Sequence, residues 1–199
     1  MKHFILTPAD WSVGLHAGCR QLRTDWPSSW PGLPHILALC QRSLGLDSAG
    51  DSATVSLNQF ALSVAQAMEK DVQPALEPAY HNRRHTADVL LVLTTLLHIL
   101  GAPYADLADQ QWAGALLAAA TSHDFKHPGG VNRVAFEIEQ MSWQAVSPLA
   151  KDLPLAWRQR VEAWILGTDV PTVKGNHQRV ANQAFGWSAP WAQGLLNEA

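Results

Sequence analysis

The apolar residues of this chain recur at intervals of three and four and nowhere alternate. Val89, Leu90, Leu93, Leu96, Leu97 and Leu100 form one such series, the spacing of one face of an α-helix. From Asp109 to Ser122 the chain is small and apolar on every side, with Ala113, Leu116, Leu117, Ala119 and Ala120. That pattern suits a helix enclosed at the centre of a bundle. With no strand pattern and no internal repeat, the expected fold is all-α, a compact orthogonal multi-helix bundle.

Punctuation along the chain divides this bundle. Thr7-Pro8-Ala9-Asp10 is a helix start, with a hydroxyl cap, proline at the first position and an acid in the first turn; that helix reaches about Arg23. Three prolines and a glycine between Trp26 and Pro34 make a loop. A helix from His35 to about Leu44 follows, then a Ser/Gly/Asp-rich loop from Gly45 to Ser56. Ser56 is expected to cap the next helix, through Phe60, Val64, Ala67 and Met68, which Pro74 and Pro78 end. The helix from His81 to Leu100 is stopped by Gly101-Ala102-Pro103. Shorter helices are expected over 132–141, 155–166 and 177–185, with a last one near Trp191. The chain of 199 residues reads as one domain, long enough to bury a core without staples.

The bulk properties exclude several classes. Apolar residues make up 47% and charged residues 16%, which argues against disorder. A net charge of −3 offers no nucleic-acid footprint. Two cysteines, Cys19 and Cys40, make no secreted disulfide framework. The N-terminus lacks a long apolar core for a signal peptide, and the longest apolar stretch is too short and polar to span a bilayer. A cytoplasmic protein is the expectation. The nine tryptophans read mostly as large core and inter-helix filler.

Two short segments stand apart from this scaffold: Tyr80-His81-Asn82-Arg83-Arg84-His85-Thr86-Ala87-Asp88 and His123-Asp124-Phe125-Lys126-His127-Pro128-Gly129-Gly130-Val131-Asn132. They gather four of the nine histidines. A His-Asp pair is expected about 0.5 times by chance in such a composition, but His-Asp-x-x-His only about 0.02 times. Imidazole beside carboxylate is what a divalent cation that also holds water requires. On a helix, His81, His85 and Asp88 fall at i, i+4 and i+7, on one face. His123 and Asp124 can chelate one ion if they sit at a helix end, and Asp124 has two oxygens with which to bridge two ions. An ion pair about 3.5–4 Å apart is a recurring device for phosphoester hydrolysis. His81 reads as a proton donor to the leaving oxygen, and His127 as a pocket group rather than a ligand. Asp88 is divided between supporting the ligands and a packing hydrogen bond. Arg83 and Arg84 read as solvated helix charges, and His98 as a core histidine.

These segments resemble the HD superfamily and, within it, the catalytic domain of class I cyclic-nucleotide phosphodiesterases. The match is Tyr80-His81-Asn82-x-x-His85-x-x-Asp88-Val89, then His123-Asp124-x-x-His127-Pro128-Gly129-x-x-Asn132, with a weaker echo in Leu166-Gly167-Thr168-Asp169-Val170. It covers roughly Ser56 to Val173; residues 1–55 are N-terminal helices and a loop outside it. The resemblance implies a bundle of HD/phosphodiesterase type that hydrolyses a small-molecule nucleotide phosphoester by attack of metal-bound hydroxide. His81 would be the general acid and His85, His123 and Asp124 metal ligands, with Asp169 near the second metal. Tyr80, Asp88, His127 and Asn132 would support the ligands or line the pocket. Zinc is implied at the tighter site and magnesium or manganese at the other, or a single ion alone. Neither a nucleic acid nor a membrane is implied as a partner, and the oligomeric state stays open.

The departures are equally specific. No aspartate follows Asp169, where the family has its last metal ligand, so the chain is expected to lack the family's C-terminal part. The Glu-Asn-His-His stretch has no counterpart, with Glu137 or Glu139 as candidates in its place, and the purine-clamping glutamine has none. A catalytically weak or inactive metal-binding regulatory module is therefore the alternative to the hydrolase. A purely structural metal site is disfavoured, because three protein ligands leave coordination positions open for water.

Overall fold

The computed structural model describes residue 20 and residues 30–72, 77–99, 107–180 and 188–199. Its helices are α1 (Leu33–Ser43), α2 (Ser52–Asp71), α3 (Arg83–Ile99), α4 (Leu107–Ser122), α5 (Glu137–Val146), α6 (Leu155–Leu166), α7 (Val170–Val180) and α8 (Ala189–Glu198). No strand occurs among the described residues, in keeping with the all-α expectation. None of these helices is long and apolar enough to cross a membrane.

Helix α4 is the axis of the bundle. Residues 113 to 122 are all buried, and α2, α6, α3 and α8 pack around it. Its small side chains let these neighbours approach closely, and the polar exceptions turn inward on their own helix. Thr121 and Ser122 donate to the carbonyls of Leu117 and Ala118, each at 2.7 Å, so they leave no orphaned hydroxyl in the core. Helix α1 closes one side against α2 and α3 through Leu33, Ile36, Leu37 and Cys40.

Several boundaries differ from expectation for local reasons. Helix α2 begins four residues before Ser56 because Asp51 is its cap. The Asp51 carboxylate accepts from Ala53 N at 3.1 Å and Thr54 N at 2.9 Å, satisfying donors that a helix start leaves open. It also accepts from Gln111 Nε2 at 3.0 Å, tying the cap to α4. Helix α3 begins at Arg83 rather than His81, because the Asn82 side chain is the cap, accepting from His85 N at 3.1 Å. Helix α5 starts at Glu137, five residues later than the sequence suggests, after an extended turn over 127–136. The predicted first helix apart from residue 20, residues 26–29 of the expected loop, Cys19, the stop at 101–103 and the end of the 177–185 helix lie outside the described residues.

Candidate metal centre

Two pieces of backbone bring the histidines together. The first is the turn from Glu77 to Asn82. Asn82 Nδ2 donates to the carbonyls of Pro78 and Ala79, both at 3.0 Å, while its Oδ1 caps α3. One buried side chain thus folds the strap that carries His81 onto the helix that carries His85. The second is the end of α4. His123 N still donates to Ala119 O at 2.9 Å, and a tight turn then sets Asp124 and His127 one after the other.

Three imidazoles converge on one carboxylate oxygen. Asp124 Oδ2 lies 2.8 Å from His81 Nδ1 and 3.3 Å from both His85 Nε2 and His123 Nε2. Ligand atoms of His85, His123 and Asp124 lie within 4.8 Å of one another, and so do those of His81, Asp124 and His127. His123 Nδ1 donates to Ala120 O at 2.8 Å, which orients the ring and directs Nε2 at the shared point. The donor set, two imidazole nitrogens and a carboxylate, suits a divalent cation, with coordination positions left for water. The residues therefore fit a metal.

The electrostatics agree with the geometry. Burial opposes charge on Asp124, but the charge of His123 and hydrogen bonds from His123, His81 and His85 outweigh it and hold the carboxyl far below its usual range. For His123, burial pulls the pKa down, and Asp124, with lesser help from Ala120 O and Glu139, carries it above its ordinary value. His127 is shifted down, by burial first and then by the neighbouring histidines, although Asp124 pulls the other way. Its Nδ1 accepts from Gly129 N at 2.9 Å, so the neutral ring carries its proton on Nε2. The ring stacks on His81 at 3.6 Å between centroids, 16° from parallel.

The remaining expected residues divide. Tyr80 packs beside His85, with ring centroids 4.4 Å apart, and is largely exposed. Asn132 Nδ2 donates to Asp169 Oδ1 at 2.7 Å and Glu139 Oε2 at 2.8 Å, while its Oδ1 accepts from Ile138 N. Asn132 thus gathers the turn, the start of α5 and the α6–α7 corner into one cluster beside His123. Asp169 is buried there and belongs to neither group of converging ligand atoms. Asp88, on α3, is likewise outside both. The expected helical face of His81, His85 and Asp88 does not form, because His81 precedes the helix.

Sequence reasoning missed the support beneath the strap. Arg83 is buried, not solvated. Its guanidinium donates to Glu69 Oε2 at 2.6 Å and to both Glu77 oxygens, at 3.0 and 3.2 Å, and its amide donates to Glu77 Oε1 at 2.9 Å. Glu69 Oε1 accepts further from Trp30 Nε1 and Leu33 N, each at 2.7 Å. The bidentate pair with Glu77 fastens the strap to the start of α3, and the bond to Glu69 ties both to the end of α2. An arginine on a helix beside another arginine carries no spacing signal for this, since its partners are 14 and 6 residues away.

Residues 80–147, about a third of the chain, match the model of the family described as 3'5'-cyclic nucleotide phosphodiesterase. That segment holds every residue of the converging cluster, and it makes this part of the chain similar to a cyclic-nucleotide phosphodiesterase domain. No curated protein and no solved structure matches the chain.

Proposed function

We propose that this chain is a metal-dependent phosphoric ester hydrolase acting on a small nucleotide phosphoester. The observation that carries the proposal is the convergence of His85, His123 and Asp124 ligand atoms within 4.8 Å, inside the segment similar to phosphodiesterases. A divalent cation held by these three, with Asp124 as the candidate bridge to a second, would acidify water and offset phosphoryl charge. His81 is the proposed acid. Its Nδ1–H donates to Asp124, which leaves Nε2 as the nitrogen that would carry the proton to the substrate. From there it protonates the leaving oxygen as the phosphorus–oxygen bond breaks and the bond from water forms. Asp169, with Asn132 and Glu139, is proposed to border the second cation, and Tyr80 and His127 to wall the pocket. A cytoplasmic location is proposed on the sequence alone.

The test combines metal analysis with turnover against cyclic nucleotides, dinucleotides and mononucleotides. Asp124→Ala and His85→Ala should each lose metal and activity together. His81→Ala should keep its metal and lose about 10²–10⁴ in rate. Retained metal and turnover in Asp124→Ala would overturn the assignment.

One observation favours a second reading. The Asp169 carboxylate is engaged by Asn132 and stands outside the converging groups, so a single ion with three protein donors is the alternative, in a regulatory module of little turnover. Two equivalents of metal per chain support the hydrolase; one equivalent with no turnover supports the module.

A further inference from the structure

Lys126 sits between Asp124 and His127 in the left-handed region, at φ 60°. Among the described residues only Phe136, at φ 63°, is another non-glycine residue there. A chain turning sharply just past a helix end ordinarily uses glycine or asparagine at such a position, because a β-carbon strains it. Persistent strain in one residue of a site turn points to a use for its side chain.

Lys126 lines a cavity of about 280 Å³ together with the end of α2 and the strap. His81, Asp124 and His127 form one wall, and the end of α2 forms the other. Among the described residues two permanent cations line it, Arg83 and Lys126. The guanidinium of Arg83 is taken up by Glu69 and Glu77. Lys126 Nζ stands 3.4 Å from Asp71 Oδ2, with both side chains half exposed or more, a pairing of the kind that contributes little and yields readily. Lys126 is thus the cation with freedom to meet a ligand charge, and it does so at the α2 wall, across the cavity from the imidazoles.

We propose that Lys126 is a specificity-determining residue that pairs with a second anionic group of the substrate. That group lies beyond the scissile phosphoryl, on the leaving-group side that His81 faces. The substrate class is a phosphodiester with an additional phosphate, and the cavity's apolar residues, Met68, Val72, Pro78 and Phe125, pack against the sugar or base between the two. This rests on the hydrolase reading for the identity of the scissile group, but not for the binding of the second charge.

The experiment compares the dinucleotides ApA and pApA, which differ by a terminal phosphate, on the full chain. Calorimetry after chelation reads affinity without turnover; the metal-loaded protein gives kcat and KM. Wild type should bind pApA about tenfold more tightly than ApA. Lys126→Met and Lys126→Gly should abolish that difference, raising KM for pApA with kcat unchanged. Lys126→Arg should keep it, and Lys126→Gly should melt no lower than wild type because the backbone strain is relieved. Equal wild-type affinities for the two dinucleotides, or a preference that survives Lys126→Met, would overturn the inference. Absence of hydrolysis with any metal, alongside a preference lost in Lys126→Met, would instead overturn the hydrolase reading and leave this one standing.

Discussion

Asp124 is where the chemistry of single residues is concentrated, and its pH behaviour follows from that. In the metal-free protein the depressed Asp124 carboxyl contributes stability that is present above its ordinary value of 3.8 and lost as the pH falls through its folded value. The raised His123 imidazole contributes stability that is complete below its ordinary value of 6.5 and lost as the pH rises through its folded value. Metal reverses the second trend, because the ion takes the nitrogen that the proton would occupy. Melting temperatures in chelator should therefore decline from about pH 6.5 upward, while the stabilisation added by zinc should grow over the same interval. Parallel curves with and without the ion would mean that His123 is not a ligand.

At the scale of elements, the strap carrying His81 depends on Arg83 more than on its own sequence. Arg83→Met would leave Glu69 and Glu77 facing each other at a partly closed site, and should lower stability by about 3 kcal/mol, measurable by urea unfolding. Arg83→Lys should retain part of this but lose the bidentate geometry with Glu77. A change under about 0.5 kcal/mol for Arg83→Met would place the guanidinium among ordinary surface charges. The same scale explains what could be read in advance. Apolar pattern located α3 and α4, because each presents or encloses hydrophobic surface along most of its length. The starts of α2 and α3 were missed, because each is set by one side chain, Asp51 or Asn82, whose backbone partners only folding supplies. The clustering of His81, His85, His123 and Asp124 was legible because each of two short segments carries an uncommon histidine-aspartate motif; the Arg83–Glu69–Glu77 network was not, because single charged residues on separate elements belong to no motif and announce no pairing. Asn132 could be singled out as a site residue, but not its shared grip on Glu139 and Asp169.

For the whole molecule, the decisive measurement is whether the native state is coupled to a cation. An ion at a hundred times its dissociation constant adds about 2.7 kcal/mol to folding, which for a chain of this length raises the melting temperature by about 5–10 °C. Zinc or manganese should give such a shift in wild type and none in Asp124→Ala. No shift in wild type would remove the metal from the account of this protein.

The helix that carries His123 and Asp124 at its tip is also the one most completely walled in by its neighbours, with alanine around much of its girth. Enlarging any of those alanines would push the rod along or about its axis, and the two groups at its end would travel with it. Tolerance to mutation in this chain should accordingly be lowest in a stretch of bland residues that touches no ligand, and their side-chain volume acts as a remote setting for the spacing at the tip.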